Sequence, residues 1–217
     1  MSEEKKKLLN SIAAPAGFIL LLWIIQLVQF FFNISFIKLG LFPRSLWGLI
    51  GIATAPLIHA GFGHLFSNTL PLLFLGTGIL YFYRQSAYKI FTLVYFLPGV
   101  LVWFIARPAY HIGASGMVYG LVTFMFFSGL IRRDTRSIAL ALIVTFLYGG
   151  IIWGVLPLDN GVSWEYHLGG SLVGIICAFV FRKNDPYKKY EWEEDGVDDE
   201  VDGGKLEISH DRGFPYD

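Results

Sequence analysis

The chain has 217 residues, of which 54% are hydrophobic, 17% aromatic and only 16% charged, against roughly 25% charged residues in an ordinary soluble domain. Together with a mean hydropathy of +0.54, this excludes a water-soluble protein built on one small core. The formal charge is zero overall, but residues 184–217 hold twelve acids and four bases while the rest holds five acids and thirteen bases, the pattern of a basic apolar body in a bilayer with an acidic soluble extension.

Residues 1–11 form a polar N-terminal segment with Lys5, Lys6 and Lys7. A helix needs about 20 apolar residues to cross roughly 30 Å of hydrocarbon. Six stretches approach that length: 12–32, 65–82, 90–105, 115–131, 138–156 and 167–181, none with Asp, Glu, Lys or Arg inside it. The first is too long for a signal-peptide core and is followed by others, so it reads as a retained helix. Residues 33–64, apolar and aromatic with Trp47 and several Gly and Pro, read as a buried or interfacial helical loop. The expected fold is an all-α membrane protein, a six-transmembrane-helix bundle over 12–183 with a membrane-embedded first loop. Residues 184–217 lack apolar periodicity and are expected to be a disordered cytosolic tail. The lone Cys177 lies in an apolar stretch and reads as a small packing residue.

Basic residues orient the bundle. With the N-terminus in the cytosol, inner segments carry twelve Lys and Arg up to Lys189, and outer loops carry three: Lys38, Arg44 and Arg107. Both termini are therefore expected inside. In that topology the second, fourth and sixth helices all run inward, so their polar first turns, with His64 and Asn68, Ser115, and His167, gather in the outer part of the membrane. Such residues are functional suspects. The fourth helix is short between Ser115 and Arg132-Arg133, so Ser115 should be recessed in a water-accessible cavity.

Each residue has a plainer reading as well. Ser115 with Gly116 and Gly120, and Gly170 with Gly174, fit Gly-xxx-Gly packing faces; Asn68 can simply bond a neighbouring helix, and His167 can sit at the interface without chemistry. Taken together they fit a Ser–His dyad, with no acid in the spans to complete a triad. A histidine suits the role of base for a serine near neutral pH. Tyr119, one turn after Ser115, can stack on the imidazole. His64 and Asn68, four apart on one helix face, and the Ser115 backbone N–H can donate to an oxyanion. Met117 breaks the Gly-x-Ser-x-Gly elbow of soluble hydrolases. No His-Glu-x-x-His, zinc-finger spacing or phosphate loop occurs, so no metal, cofactor or nucleic-acid partner is expected.

His59, His64 and Asn68, then Gly113-Ala114-Ser115-Gly116 with Tyr119, then His167, Gly170 and Gly174 together resemble the rhomboid proteases. The resemblance covers the six-helix body and leaves out the acidic tail. It implies a serine endopeptidase with Ser115 as nucleophile and His167 as general base, and an oxyanion site from His64, Asn68 and the Ser115 N–H. The implied substrates are single-span membrane proteins, cut in the outer part of their helix near small or helix-breaking residues. The fifth helix and the first loop would be natural gates. A bacterial plasma membrane is the expected location, with the site opening to the outer face; oligomeric state is left open. The alternative is a catalytically silent relative that binds transmembrane clients. Four positions depart from the family pattern. Ile50-Gly51 replace a Trp-Arg that anchors the first loop, Leu80 replaces a glutamate that makes a cytosolic-side bond, and Tyr166 puts a bulky ring before the last His, where it would reshape access to the dyad.

Overall fold

The computed structural model describes residues 1–158 and 161–187; most of the expected acidic tail, from residue 188 on, lies outside the described residues. Among the described residues seven α-helices follow one another: α1 (Glu3–Phe31), the short α2 (Gly51–Thr54), α3 (Phe62–Phe82), α4 (Ala87–Ile105), α5 (Ser115–Arg132), α6 (Thr135–Tyr148) and α7 (Trp164–Val180). A 3₁₀ segment, Gly149–Val155, continues α6, so the fifth expected span is helical throughout but tightens over its last turns. Five of these helices, α6 counted with its 3₁₀ extension, are long and apolar enough to cross a membrane, and α7 is a shorter apolar helix of 17 residues. Exposed Phe74, Leu142, Phe146 and Phe179 cover the outside, as a lipid-facing surface requires.

All six expected apolar stretches are helical, five of them long enough to span and the sixth shorter, and most helices begin before their apolar stretch does. Ser2 caps α1, its side chain accepting from the Lys5 N–H, with Glu3 and Glu4 in the first turn; an acid near a helix N-terminus is favourable. The helix thus begins among charged residues that hydropathy leaves out. Likewise α7 begins at Trp164 rather than His167 and takes in Glu165, so the apolar spans are free of charge while the helices themselves are not.

Helix α5 is the centre of the bundle. It packs on α3, α4, α6 and most extensively α7. Among the five long spans it is the most buried and α6 the least. The core joins Leu65, Leu72 and Ile79 of α3, Ile90 and Val94 of α4, Leu121 and Phe124 of α5, and Val173 and the buried Cys177 of α7.

The first loop is held by backbone instead of by the family's Trp-Arg. A Cβ on Gly51 would fall 2.1 Å from the Leu41 Cα, and one on Gly48 would fall 1.9 Å from the Phe42 oxygen. Leu41 exchanges backbone bonds with His111 at 3.0 and 2.8 Å, Trp103 Nε1 donates to the Ser45 carbonyl at 2.9 Å and the Tyr95 hydroxyl to the Ala53 carbonyl at 2.6 Å. Leu46 and Trp47 project outward, consistent with an interfacial loop.

At the end of the bundle away from Ser115, Leu80 is buried in the core and a different carboxylate makes the polar joint. Asp185 accepts from the backbone N–H groups of Gln85 and Ser86 at 2.6 and 3.2 Å and from the Ser86 hydroxyl at 2.7 Å. Its carbonyl accepts from Arg132 and Arg136, whose guanidinium groups lie over the Tyr83 ring. Asp185→Ala is expected to destabilise the protein by about 1–3 kcal/mol, because buried donors lose their acceptor; a lowered melting temperature in detergent, partly recovered in Asp185→Asn, is the check.

Candidate active site

Ser115 opens α5 and His167 lies in the first turn of α7, so the two meet only because their helices pack at very short range. Glycines allow that approach. A Cβ on Gly170 would lie 2.0 Å from the Gly116 oxygen, and one on Gly174 2.1 Å from the Gly120 oxygen. The Thr123 hydroxyl also bridges the helices, donating to the Ser171 carbonyl at 3.0 Å. Across this seam His167 Nε2 stands 2.8 Å from Ser115 Oγ. The Tyr119 ring lies parallel to the imidazole, centroids 4.1 Å apart and planes within 9°, as its place one turn after the serine predicts.

The turn into α5 is set by Gly113, whose φ of +109° is a region that L side chains rarely adopt. A Cβ there would also fall 2.6 Å from the His64 ring. The Gly113 N–H donates to the Ala55 carbonyl at 2.8 Å and the Ala114 N–H to His59 Nε2 at 3.3 Å. His59 therefore braces the turn from behind rather than facing the serine. Burial, and next to it the neighbouring His64, push its pKa down to about 4, so the ring is neutral at pH 7 and keeps the lone pair that the Ala114 N–H needs. Its ring meets that of His64 edge to face, centroids 5.0 Å apart.

His64, Asn68, Ser115, Tyr119 and His167 line one cavity of about 630 Å³, with Arg107, Tyr110, His111 and Ser163 also in its wall. The Asn68 amide donates to the His64 carbonyl at 2.9 Å, which fixes the side chain, and the amide keeps a second N–H. As the first residue of α5, Ser115 has a backbone N–H without an intrahelical acceptor. All the expected site residues are thus at the cavity, bracing its turn or forming the α5–α7 seam.

Tyr166 differs from expectation. Its ring is buried with Leu41, Val102 and Ala106, in the space left by Gly116, where a Cβ would come 2.1 Å from the tyrosine ring. A residue next to His167 on a helix points about 100° away from it, so the ring packs behind the dyad instead of over its entrance.

The sequence reading misses several groups. His167 Nδ1 faces the Gly154 carbonyl at 2.9 Å, and the Tyr119 hydroxyl donates to the Ile151 carbonyl at 2.8 Å; backbone acceptors leave little trace in a sequence. Glu165, 4% exposed, pairs with Arg107 at 3.4 Å. His111 contacts the Ser163 hydroxyl at 2.5 Å and the Arg107 carbonyl at 3.2 Å, and burial holds its pKa below the usual range. These contacts tie the segment leading to Ser115 to the start of α7. Glu165, an acid two residues before the candidate base, was the available signal.

A largely apolar cavity of about 700 Å³ lies among α1, α3 and α6, lined by Leu8, Phe74, Gly78, Ile143 and Leu147 and by Met125 of α5, with Glu4 and Lys5 at its edge.

Comparison with known proteins agrees with this architecture. A model of the rhomboid domain matches residues 43–184. An uncharacterised protein of Mycobacterium tuberculosis is 34% identical over 177 residues, covering 75% of this chain and 72% of its own, and one of Mycobacterium leprae is 33% identical over 172 residues, covering 75% and 68%. The rhomboid protease GluP of Bacillus subtilis is 28% identical over 135 residues, 61% of this chain and 25% of GluP. With five long apolar helices and a shorter sixth among the described residues, and a model match across most of them, the chain is a multi-pass integral membrane protein and belongs to the rhomboid family.

Proposed function

We propose that this protein is an intramembrane serine endopeptidase that hydrolyses peptide bonds in or near the transmembrane segment of single-span membrane proteins. The observation that carries the reading is the 2.8 Å contact between His167 Nε2 and Ser115 Oγ inside a cavity that also holds amide donors. Nε2 takes the hydroxyl proton as Oγ attacks the substrate carbonyl carbon, and the negative oxygen of the tetrahedral intermediate is held by Asn68, His64 and the Ser115 N–H. The protonated His167 returns its proton to the leaving amine as the C–N bond breaks. Water, deprotonated by the same nitrogen, then cleaves the acyl-enzyme ester. No metal or cofactor takes part. The excess of basic residues at the end of the bundle away from Ser115 supports both termini lying in the cytosol.

The test is cleavage of a single-span reporter in liposomes without added metal by wild type and by Ser115→Ala. Cleavage by wild type alone supports the reading. Cleavage by both would assign the activity elsewhere, and cleavage by neither across several reporters would favour a silent client-binding protein. In the same assay, Asn68→Ala is expected to lower kcat by about 10²–10³-fold with KM nearly unchanged, the signature of an oxyanion donor; equal kcat would remove Asn68 from that role.

A further inference from the structure

Given that His167 is the base, we infer that the backbone carbonyl of Gly154 is its orienting partner, the place that a carboxylate holds in a serine triad. A carbonyl oxygen only accepts, so at 2.9 Å it fixes the hydrogen of the neutral imidazole on Nδ1. Nε2 is then left with its lone pair, 2.8 Å from Ser115 Oγ. The other tautomer would present an N–H to the hydroxyl and could not take its proton. Glu165, the nearest acid in sequence, is engaged by the Arg107 backbone N–H and Nε instead.

Pro157 explains why this carbonyl is available. In a 3₁₀ segment each carbonyl accepts from the N–H three residues on. For Gly154 that residue is Pro157, which has no N–H. The next donor, the Leu158 N–H, goes to the Leu156 carbonyl at 2.8 Å. Residue 154 must also be small, since a Cβ there would lie 1.8 Å from the Tyr119 hydroxyl and 3.2 Å from His167 Nδ1. Three residues earlier, the Ile151 carbonyl holds the Tyr119 hydroxyl, whose ring fixes the plane of the imidazole. The 3₁₀ end of α6 thus sets both the tautomer and the tilt of the base.

The test replaces Val155 in the full chain by its α-hydroxy acid, which turns the Gly154 carbonyl into an ester carbonyl, a weaker acceptor, and changes no side chain. The control is the same exchange at Trp153. Nitrogen-15 spectra of labelled histidine, with the His167 signals assigned by their loss in His167→Ala, report the tautomer without reference to cleavage. Wild type and control are expected to carry the hydrogen on Nδ1. The Val155 ester is expected to shift toward the Nε2–H form and to lose about tenfold in kcat with KM within about twofold. An unchanged tautomer and kcat in the Val155 ester, or an Nε2–H form in wild type, would overturn the inference. Should wild type cut no reporter at all, the protease reading fails while the tautomer still decides this one.

Discussion

His167→Ala is expected to lower kcat on the single-span reporter by about 10⁴-fold or more, and the double variant with Ser115→Ala to be no worse than either single. The reason is geometric. The serine hydroxyl at pH 7 is a weak nucleophile, and at 2.8 Å from Oγ Nε2 is the one ring nitrogen in reach of its proton; either loss removes the same step. Additive losses would mean that each residue acts in a separate process. A second readout separates loss of chemistry from loss of fold. A fluorophosphonate that reacts with activated serines should label wild type, and should label neither Ser115→Ala nor His167→Ala. Ser115→Ala should keep the wild-type melting temperature, and His167→Ala, which also gives up the Tyr119 stack and the Gly154 bond, should stay folded with a melting temperature lowered only modestly. Labelling of His167→Ala at the wild-type rate would show that another group activates the serine.

The sequence carries the bundle and the dyad for different reasons. Span length and the absence of charge follow from the thickness of the hydrocarbon, so the six helices are legible wherever the chain crosses it. They are less legible at the ends, where caps decide: Ser2 and Glu3 start α1 among charges, and Trp164 starts α7 ahead of the apolar stretch. The side chains of the site are legible because polar residues in apolar helices are few, and because helical spacing puts Tyr119 above Ser115. What stays hidden is set by packing. Tyr166 looks like an obstacle beside the base, yet the absence of a side chain on Gly116, fifty residues away in sequence, gives its ring a place in the core. Ile50-Gly51 looks like a lost anchor, yet Gly51 brings the loop backbone onto Leu41. The carbonyls of Ile151 and Gly154 belong to every residue type alike, and only the Pro three residues after Gly154 hints that one of them is free.

The α5–α7 seam leads to the second large effect: Gly170→Ala is expected to damage activity more than stability. An ideal Cβ on Gly170 falls 2.0 Å from the Gly116 oxygen and 3.1 Å from its Cα, and backbone, unlike the end of a side chain, has no rotamer by which to yield. The helices must separate by on the order of 1 Å, at an overpacking cost of about 1–3 kcal/mol. Ser115 and His167 sit on opposite sides of that seam, so their contact lengthens by a similar amount. A displacement of about 1 Å at reacting groups costs about 10²-fold in rate. The expected result is a modest drop in melting temperature with a kcat loss of about 10²-fold, while Gly17→Ala, where nothing lies within 4 Å of the added carbon, leaves cleavage unchanged. Wild-type kcat in Gly170→Ala would mean that the dyad distance does not depend on the close approach of the two backbones, and a collapse of both melting temperature and expression would mean that the seam is needed first for folding; Gly174→Ala, one turn further from the dyad and equally tight at 2.1 Å from the Gly120 oxygen, separates these, since it should cost similar stability and less activity.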